Sequence, residues 1–139
     1  MIRQYLWIVI FVLGACSVRA QPAVTGVYDH TGAIAATMTV RVQNGIADIM
    51  LEGGGNRSAG ESSAADCGIH AVGPVTPAGI VAAFHAMQSD TMDYDETLAR
   101  REHRKLRVTF SKRGAQVVAA DIDGYCGLGA DFNGPYKRR

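Results

Sequence analysis

Apolar and polar residues alternate along most of the chain, and the alternation is clearest in the segment Thr37–Glu52. A period of two is typical of β-strands that bury one face. Asn44-Gly45, in the middle of this segment, is the dipeptide most favoured in a two-residue type I′ turn. A hairpin that turns there places three apolar pairs on one face and an opposite-charge pair on the other, namely Val42–Ala47, Val40–Ile49, Met38–Leu51 and Arg41–Asp48. The sequence therefore predicts this hairpin and its register.

A second hairpin is predicted from Lys105 to Ile122. Lys112-Arg113-Gly114 is interpreted as a three-residue loop in which Gly114 takes the left-handed conformation. This loop pairs Ser111 with Ala115, and the pairs predicted to face the core are Val108–Val118 and Leu106–Ala120.

Two weaker strands are predicted at Asp66–Val72 and Ile80–Met87, on either side of a turn at residues 73–79 that is rich in glycine and proline. The ends of the chain also resemble each other, since Gly26-Val27-Tyr28 lies near the start and Gly134-Pro135-Tyr136 near the finish. If these two short segments pair, the sheet closes on itself and loses its exposed edges.

Two segments depart from the alternation. Residues 53–63 are polar and rich in glycine, and they predict a flexible connector. Asp90–Arg104 is charged, and within it Glu96–Arg104 predicts one or two helical turns in which Glu96 precedes Arg100 by four residues. The expected fold is all-β, a small antiparallel barrel or curled sheet of about seven to eight strands with at most one short helix.

Residues 1–20 have the layout of a secretion signal, in which Arg3 precedes an apolar run from Leu6 to Ala15. The sequence offers two alternative processing sites. Val18-Arg19-Ala20 favours cleavage that releases a protein starting at Gln21, whereas Leu13-Gly14-Ala15-Cys16 resembles the lipobox of bacterial lipoproteins, with lipid attached to Cys16. We expect a single domain at residues 21–139, located in the periplasm or secreted, or on the outer membrane if Cys16 is lipidated.

Charge and cysteine content agree with export. Removal of residues 1–20 takes away Arg3 and Arg19 and leaves 12 Lys and Arg against 13 Asp and Glu, so that no net charge draws the protein to nucleic acid or to an anionic membrane. Export also leaves one pair of cysteines, Cys67 and Cys126, in an oxidising compartment, and we predict that they form a disulfide.

Candidate chemistry is sparse. His70 and His85 are expected on one outer face, where Asp66 would complete a minimal zinc site; His30 and His103 are expected to be solvated. The acidic residues Asp90, Asp93, Asp95 and Glu96 are a weaker candidate for calcium. The sequence contains no nucleophile-elbow motif. We therefore expect no enzyme activity, no cofactor and no resident metal.

The function expected is that of a non-enzymatic binding protein with a protein partner in the cell envelope. In overall plan the chain resembles the small periplasmic lysozyme inhibitors and immunity proteins, which implies a cell-wall hydrolase as partner; the resemblance covers the layout of residues 21–139 and carries over no inhibitory residue. Contact is expected through residues 53–63 and 88–104. A carrier of small apolar ligands and a hydrolase are the alternatives. The predicted binding residues are Asn56, Arg57, Arg100, Arg101 and Arg104.

Overall fold

The computed structural model describes residues 23–57, 67–89, 92–127 and 129–139, and only the backbone of residues 88, 89, 92 and 93. The predicted secretion signal and Cys16 lie outside the described residues, as do Asp66 and Asp90. No helix in the described part of the chain is both long enough and apolar enough to cross a membrane.

The fold is all-β, as predicted, with one short helix, α1 (Glu96–Glu102). Eight strands form a closed antiparallel barrel in the order β1-β10-β9-β8-β5-β4-β3-β2, and β6 pairs with β7 in a separate ribbon. The strands are β1 (Gly26–His30), β2 (Ile34–Gln43), β3 (Ile46–Asn56), β4 (Cys67–Thr76), β5 (Gly79–Phe84), β6 (Met87–Ser89), β7 (Met92–Tyr94), β8 (Lys105–Ser111), β9 (Gly114–Ala120) and β10 (Gly134–Arg138).

The barrel closes where the sequence predicted. β1 and β10, which contain the two Gly-x-Tyr segments, pair antiparallel, with Tyr28 opposite Arg138 and His30 opposite Tyr136. Both tyrosines are buried. Closure leaves no strand of the barrel with an unpaired edge.

The hairpin of β2 and β3 has the predicted register throughout Thr37–Glu52. Its turn residues Asn44 and Gly45 have φ values of 52° and 76°, as a type I′ turn requires. The predicted connector at residues 53–63 is wrong at its start, because β3 continues through the glycine run to Asn56. Gly53 has a φ of 106°, and a Cβ there would collide with the carbonyl oxygen of Ala35. These glycines therefore permit close strand packing rather than a loop.

The hairpin of β8 and β9 exists, but its predicted register is wrong at Val108. The turn has two residues, Lys112 and Arg113, and Ser111 pairs with Gly114. Val108 consequently faces Val117, and Val118 is 55% exposed. A register shift between Arg107 and Val108 then restores the predicted Leu106–Ala120 pair.

β4 and β5 lie where two weaker strands were expected, but their turn is narrower than predicted. Residues 73–76 continue β4, and the chain reverses at Pro77-Ala78. β5 ends at Phe84, three residues before the predicted end at Met87. The two strands lie between β3 and β8 and complete the barrel wall.

The inward-facing side chains form one buried cluster. An eight-stranded barrel is just wide enough for side chains to fill its interior. The sequence left open whether the interior is hollow, and the structure shows it occupied. The largest fully buried side chains are Tyr28, Phe132, Met38, Ile49, Leu51, Ile69, Ile80, Leu106, Val40, Val108 and Val117.

Candidate functional site

The two ends of the barrel differ in how the strands are connected. At one end, three hairpins turn tightly at Asn44-Gly45, Pro77-Ala78 and Lys112-Arg113. At the other end, which we call the loop end, the connections are residues 31–33, 57–66, 85–104 and 121–133. Binding residues concentrate on loops that a rigid sheet positions. The loop end is therefore the candidate site. The described parts of both segments that the sequence predicted as contact surfaces, residues 53–57, 88–89 and 92–104, belong to it.

A disulfide ties two of these connections together. Cys67, the first residue of β4, is bonded to Cys126 in the 121–133 connection, with their Cα atoms 5.5 Å apart. The predicted bond is thus confirmed. Because it joins positions 59 residues apart in sequence, it restricts how far the 121–133 connection can move from the sheet.

Three aromatic side chains pack beneath the loop end. The rings of Phe84, Tyr94 and Tyr125 meet edge to face, with centroids 5.3 Å apart for Phe84–Tyr125 and 4.9 Å apart for Tyr94–Tyr125. The Tyr125 hydroxyl donates to the carbonyl oxygen of Gly68 at 3.1 Å. Burial raises the pKa of Tyr125 to about 12 and raises the pKa of Tyr94 as well. Both phenols are therefore neutral at physiological pH.

Arg104 links helix α1 to the 121–133 connection through hydrogen bonds to both. Its Nη1 donates to the carbonyl oxygens of Asp121 at 3.0 Å and Asp123 at 2.8 Å, and its Nε donates to the Glu102 carboxylate. The guanidinium also lies 5.6 Å from the centroid of the Tyr125 ring. With only 14% of its side chain exposed, Arg104 is committed to contacts within the protein, and a direct role in binding stays a prediction.

Helix α1 presents the other two predicted arginines to solvent. Asp95 caps the helix by accepting from the Leu98 amide at 2.7 Å, and Ala99 is the helix residue that is buried. Arg100, whose side chain is 75% exposed, lies 3.9 Å from Glu96, which confirms the predicted pair. Arg101 is also exposed. Since salt bridges between exposed groups are weak, Arg100 and Arg101 remain available to a partner.

Arg57 and Asn56 lie at the end of β3, also at the loop end. Asn56 pairs with Ile34 across the strands. Arg57 donates from Nε to the carbonyl oxygen of Ile34 at 3.0 Å and from Nη2 to that of His30 at 2.9 Å. These two bonds hold the guanidinium against the β1–β2 turn.

Arg57 lines a cleft at the seam where β1 meets β10. This seam cleft has a volume of about 630 Å³. Arg139 donates to the Asp29 carboxylate from Nε at 2.7 Å and from Nη2 at 2.8 Å. These hydrogen bonds hold the pKa of Asp29 below its usual range. The lining residues are Asp29, His30, Thr31, Arg57, Lys137, Arg138 and Arg139.

His30 is buried, contrary to the expectation that it is solvated. Its Nδ1 accepts from the Gly32 amide at 2.9 Å, and its Nε2 lies 3.1 Å from the carbonyl oxygen of Asn133. A carbonyl can only accept, so Nε2 carries the proton. Both nitrogens are thus used, and His30 supports the cleft rather than offering a ligand to it. His103 is exposed, as expected.

His70 and His85 lie side by side on the outside of the barrel, as expected, with ring centroids 5.8 Å apart. His70 Nε2 is 3.1 Å from Asp48 Oδ2. The third ligand suggested for zinc, Asp66, is outside the described residues. Within the described ranges, no group of three His, Cys, Asp or Glu side chains is arranged to hold a metal ion.

The sequence missed the seam cleft as a site. Its two walls come from opposite ends of the chain, because Asp29 and Arg139 are separated by 110 positions. The one signal that could have found it was the predicted pairing of the Gly-x-Tyr segments, since that pairing brings Lys137 opposite Asp29.

Comparison of the chain with protein-family models, with curated proteins and with solved structures finds no match.

Proposed function

We propose that this chain is an exported, non-enzymatic binding protein that holds a protein partner of the cell envelope at the loop end of the barrel. The observation that carries the proposal is the contrast between the two ends, one closed by tight turns and the other built from long connections. A partner class that fits the compartment is a cell-wall hydrolase, and the role is that of an inhibitor or immunity-type protein.

The loop end has the properties of a preorganised binding surface. The Cys67–Cys126 bond and the Arg104 contacts hold the 121–133 connection and α1 in place. A surface that is already ordered loses less conformational entropy when a partner binds. Arg100 and Arg101 are exposed on helix α1. The partner is therefore expected to present an acidic face to them.

An apolar-ligand carrier receives less support from the same structure. A carrier needs an apolar cavity that encloses its ligand, whereas the interior of this barrel is occupied by large side chains such as Met38, Leu51 and Phe132.

The test is a comparison of two matched double variants. The partner is captured from envelope extract on the immobilised protein, identified by mass spectrometry, purified and titrated. Replacement of both Arg100 and Arg101 by Ala is expected to weaken binding about tenfold or more, since arginine is enriched among the residues that dominate interfaces. The control replaces Lys112 and Arg113 by Ala, which removes the same charge at the opposite end and should leave the affinity unchanged. Equal affinities of the two variants would contradict the placement of the partner at the loop end.

A further inference from the structure

The seam cleft has an excess of positive charge that the protein does not neutralise. Arg57, Lys137 and Arg139 line it together with a single acidic side chain, Asp29. Arg139 donates two hydrogen bonds to that carboxylate. In the part of the chain that the structure describes, Arg57 and Lys137 form no salt bridge with any acid.

Main-chain carbonyls orient Arg57. Its guanidinium donates to the carbonyl oxygens of Ile34 and His30. Carbonyl oxygens are neutral, so these bonds fix the guanidinium without cancelling its charge. A guanidinium has five N–H donors, and Arg57 therefore keeps donors for a further acceptor. The Arg138 guanidinium is turned away from the cleft, because Arg138 lies opposite the buried Tyr28 and donates to the carbonyl oxygens of Ala23 and Thr25.

The chemistry of the seam cleft matches a phosphate group. A phosphate monoester carries close to two negative charges at neutral pH and offers three strong acceptor oxygens, and arginine forks recognise such oxygens pairwise. A carboxylate ligand would bring only one negative charge. Arg139 is already paired with a carboxylate, that of Asp29. At about 630 Å³, the cleft also has room for the group that bears the phosphate.

We infer that the seam cleft binds a phosphate group through Arg57 and Lys137. This site is separate from Arg100 and Arg101, and it does not depend on the proposed protein partner. Two sources share the chemistry, a small soluble phosphate ester and the headgroup of an anionic phospholipid, and the experiment distinguishes them.

The first arm titrates the purified protein with glycerol phosphate at low ionic strength, with binding followed by chemical-shift changes. We expect one saturable site whose affinity falls as salt is added. Lys137→Gln removes an exposed charge without touching the core and should weaken binding at least threefold. Arg57→Gln should weaken it further, because a guanidinium that can contact two oxygens is lost. The matched control is Arg107→Gln, an equal loss of charge at an exposed position of β8, which should not change the affinity.

The second arm measures sedimentation with vesicles of phosphatidic acid, whose headgroup is a phosphate monoester, and of phosphatidylcholine. Binding to phosphatidic acid vesicles that Lys137→Gln weakens and Arg107→Gln does not identifies the headgroup as a source, whereas glycerol phosphate binding alone identifies a soluble ester. Absence of saturable binding in both arms would overturn the inference. So would equal affinities of Lys137→Gln and Arg107→Gln. Neither result touches the proposed function, which is tested with variants at Arg100 and Arg101.

Discussion

At the residue scale, the four tyrosines in the described part of the chain are buried with neutral hydroxyl groups. Tyr28, Tyr125 and Tyr136 donate to the carbonyl oxygens of Val24, Gly68 and Phe132, respectively. The hydroxyl of Tyr94 is buried and has no partner among the described residues. Burial raises the pKa of all four phenols.

These shifts predict how stability depends on alkaline pH. A raised folded-state pKa means that the neutral phenol stabilises the folded protein below the unfolded value of 10, and that this contribution is lost as pH rises toward the folded value, about 12 for Tyr125. Ultraviolet absorbance at pH 10 should therefore show less phenolate in the native protein than in the denatured protein, in which the same tyrosines titrate near their ordinary pKa.

The control for this prediction is Tyr125→Phe, which removes one such titration. Its melting temperature should fall less steeply between pH 10 and pH 12 than that of the parent protein. A phenolate signal that develops fully near pH 10 in the folded protein would contradict the burial described here.

At the element scale, the register of β8 and β9 decides which valine supports the core. Val117 is fully buried, whereas Val118 is 55% exposed. Two adjacent residues of the same type thus have opposite environments, and they provide a matched pair for measurement.

Val117→Ala should lower the free energy of unfolding by roughly 2 kcal/mol, because it removes buried methyl groups and leaves a cavity. Val118→Ala should change it by less than about 0.5 kcal/mol. Urea denaturation of both variants measures the difference. The register predicted from sequence, with Val118 facing the core, requires the reverse order.

At the scale of the whole molecule, the Cys67–Cys126 bond joins the barrel wall to the connection that covers its loop end. Phe132 lies in the same connection and is fully buried. Because the bond closes a loop of 59 residues, the chain-entropy model assigns to it a large share of the free energy of unfolding expected for a domain of this size.

Replacement of both cysteines by Ala should lower the free energy of unfolding by about 4 kcal/mol, the loop-entropy value for a separation of 59 residues. Denaturation of the oxidised protein and of the double variant measures the loss. The control is a reducing agent, which should destabilise the parent protein and leave the variant unchanged. A double variant as stable as the oxidised protein would show that the bond does not restrain the unfolded chain.

The candidate sites were predictable only in part. Arg100 and Arg101 could be placed on an exposed helix because the charged segment and its Glu96–Arg100 spacing are local signals. The engagement of Arg104 could not be foreseen, since its carbonyl partners at Asp121 and Asp123 lie far along the chain. The seam cleft depends likewise on contacts between the two ends of the sequence.

The sequence by itself determined the β architecture, the β2–β3 register and the pairing of Cys67 with Cys126. In each case the information was local or compositional, as in the Asn44-Gly45 turn or in the single pair of cysteines that remains once the predicted secretion signal is set aside. Only the tertiary structure decided the bulge at Arg107/Val108, the use of Gly53 within a strand and the assembly of the seam cleft. The seam cleft arises from closing the barrel, because closure brings β1 beside β10 and so brings side chains from both ends of the chain together. The bulge and the Gly53 contact arise from how closely the backbones of paired strands approach, which the order of residue types does not specify.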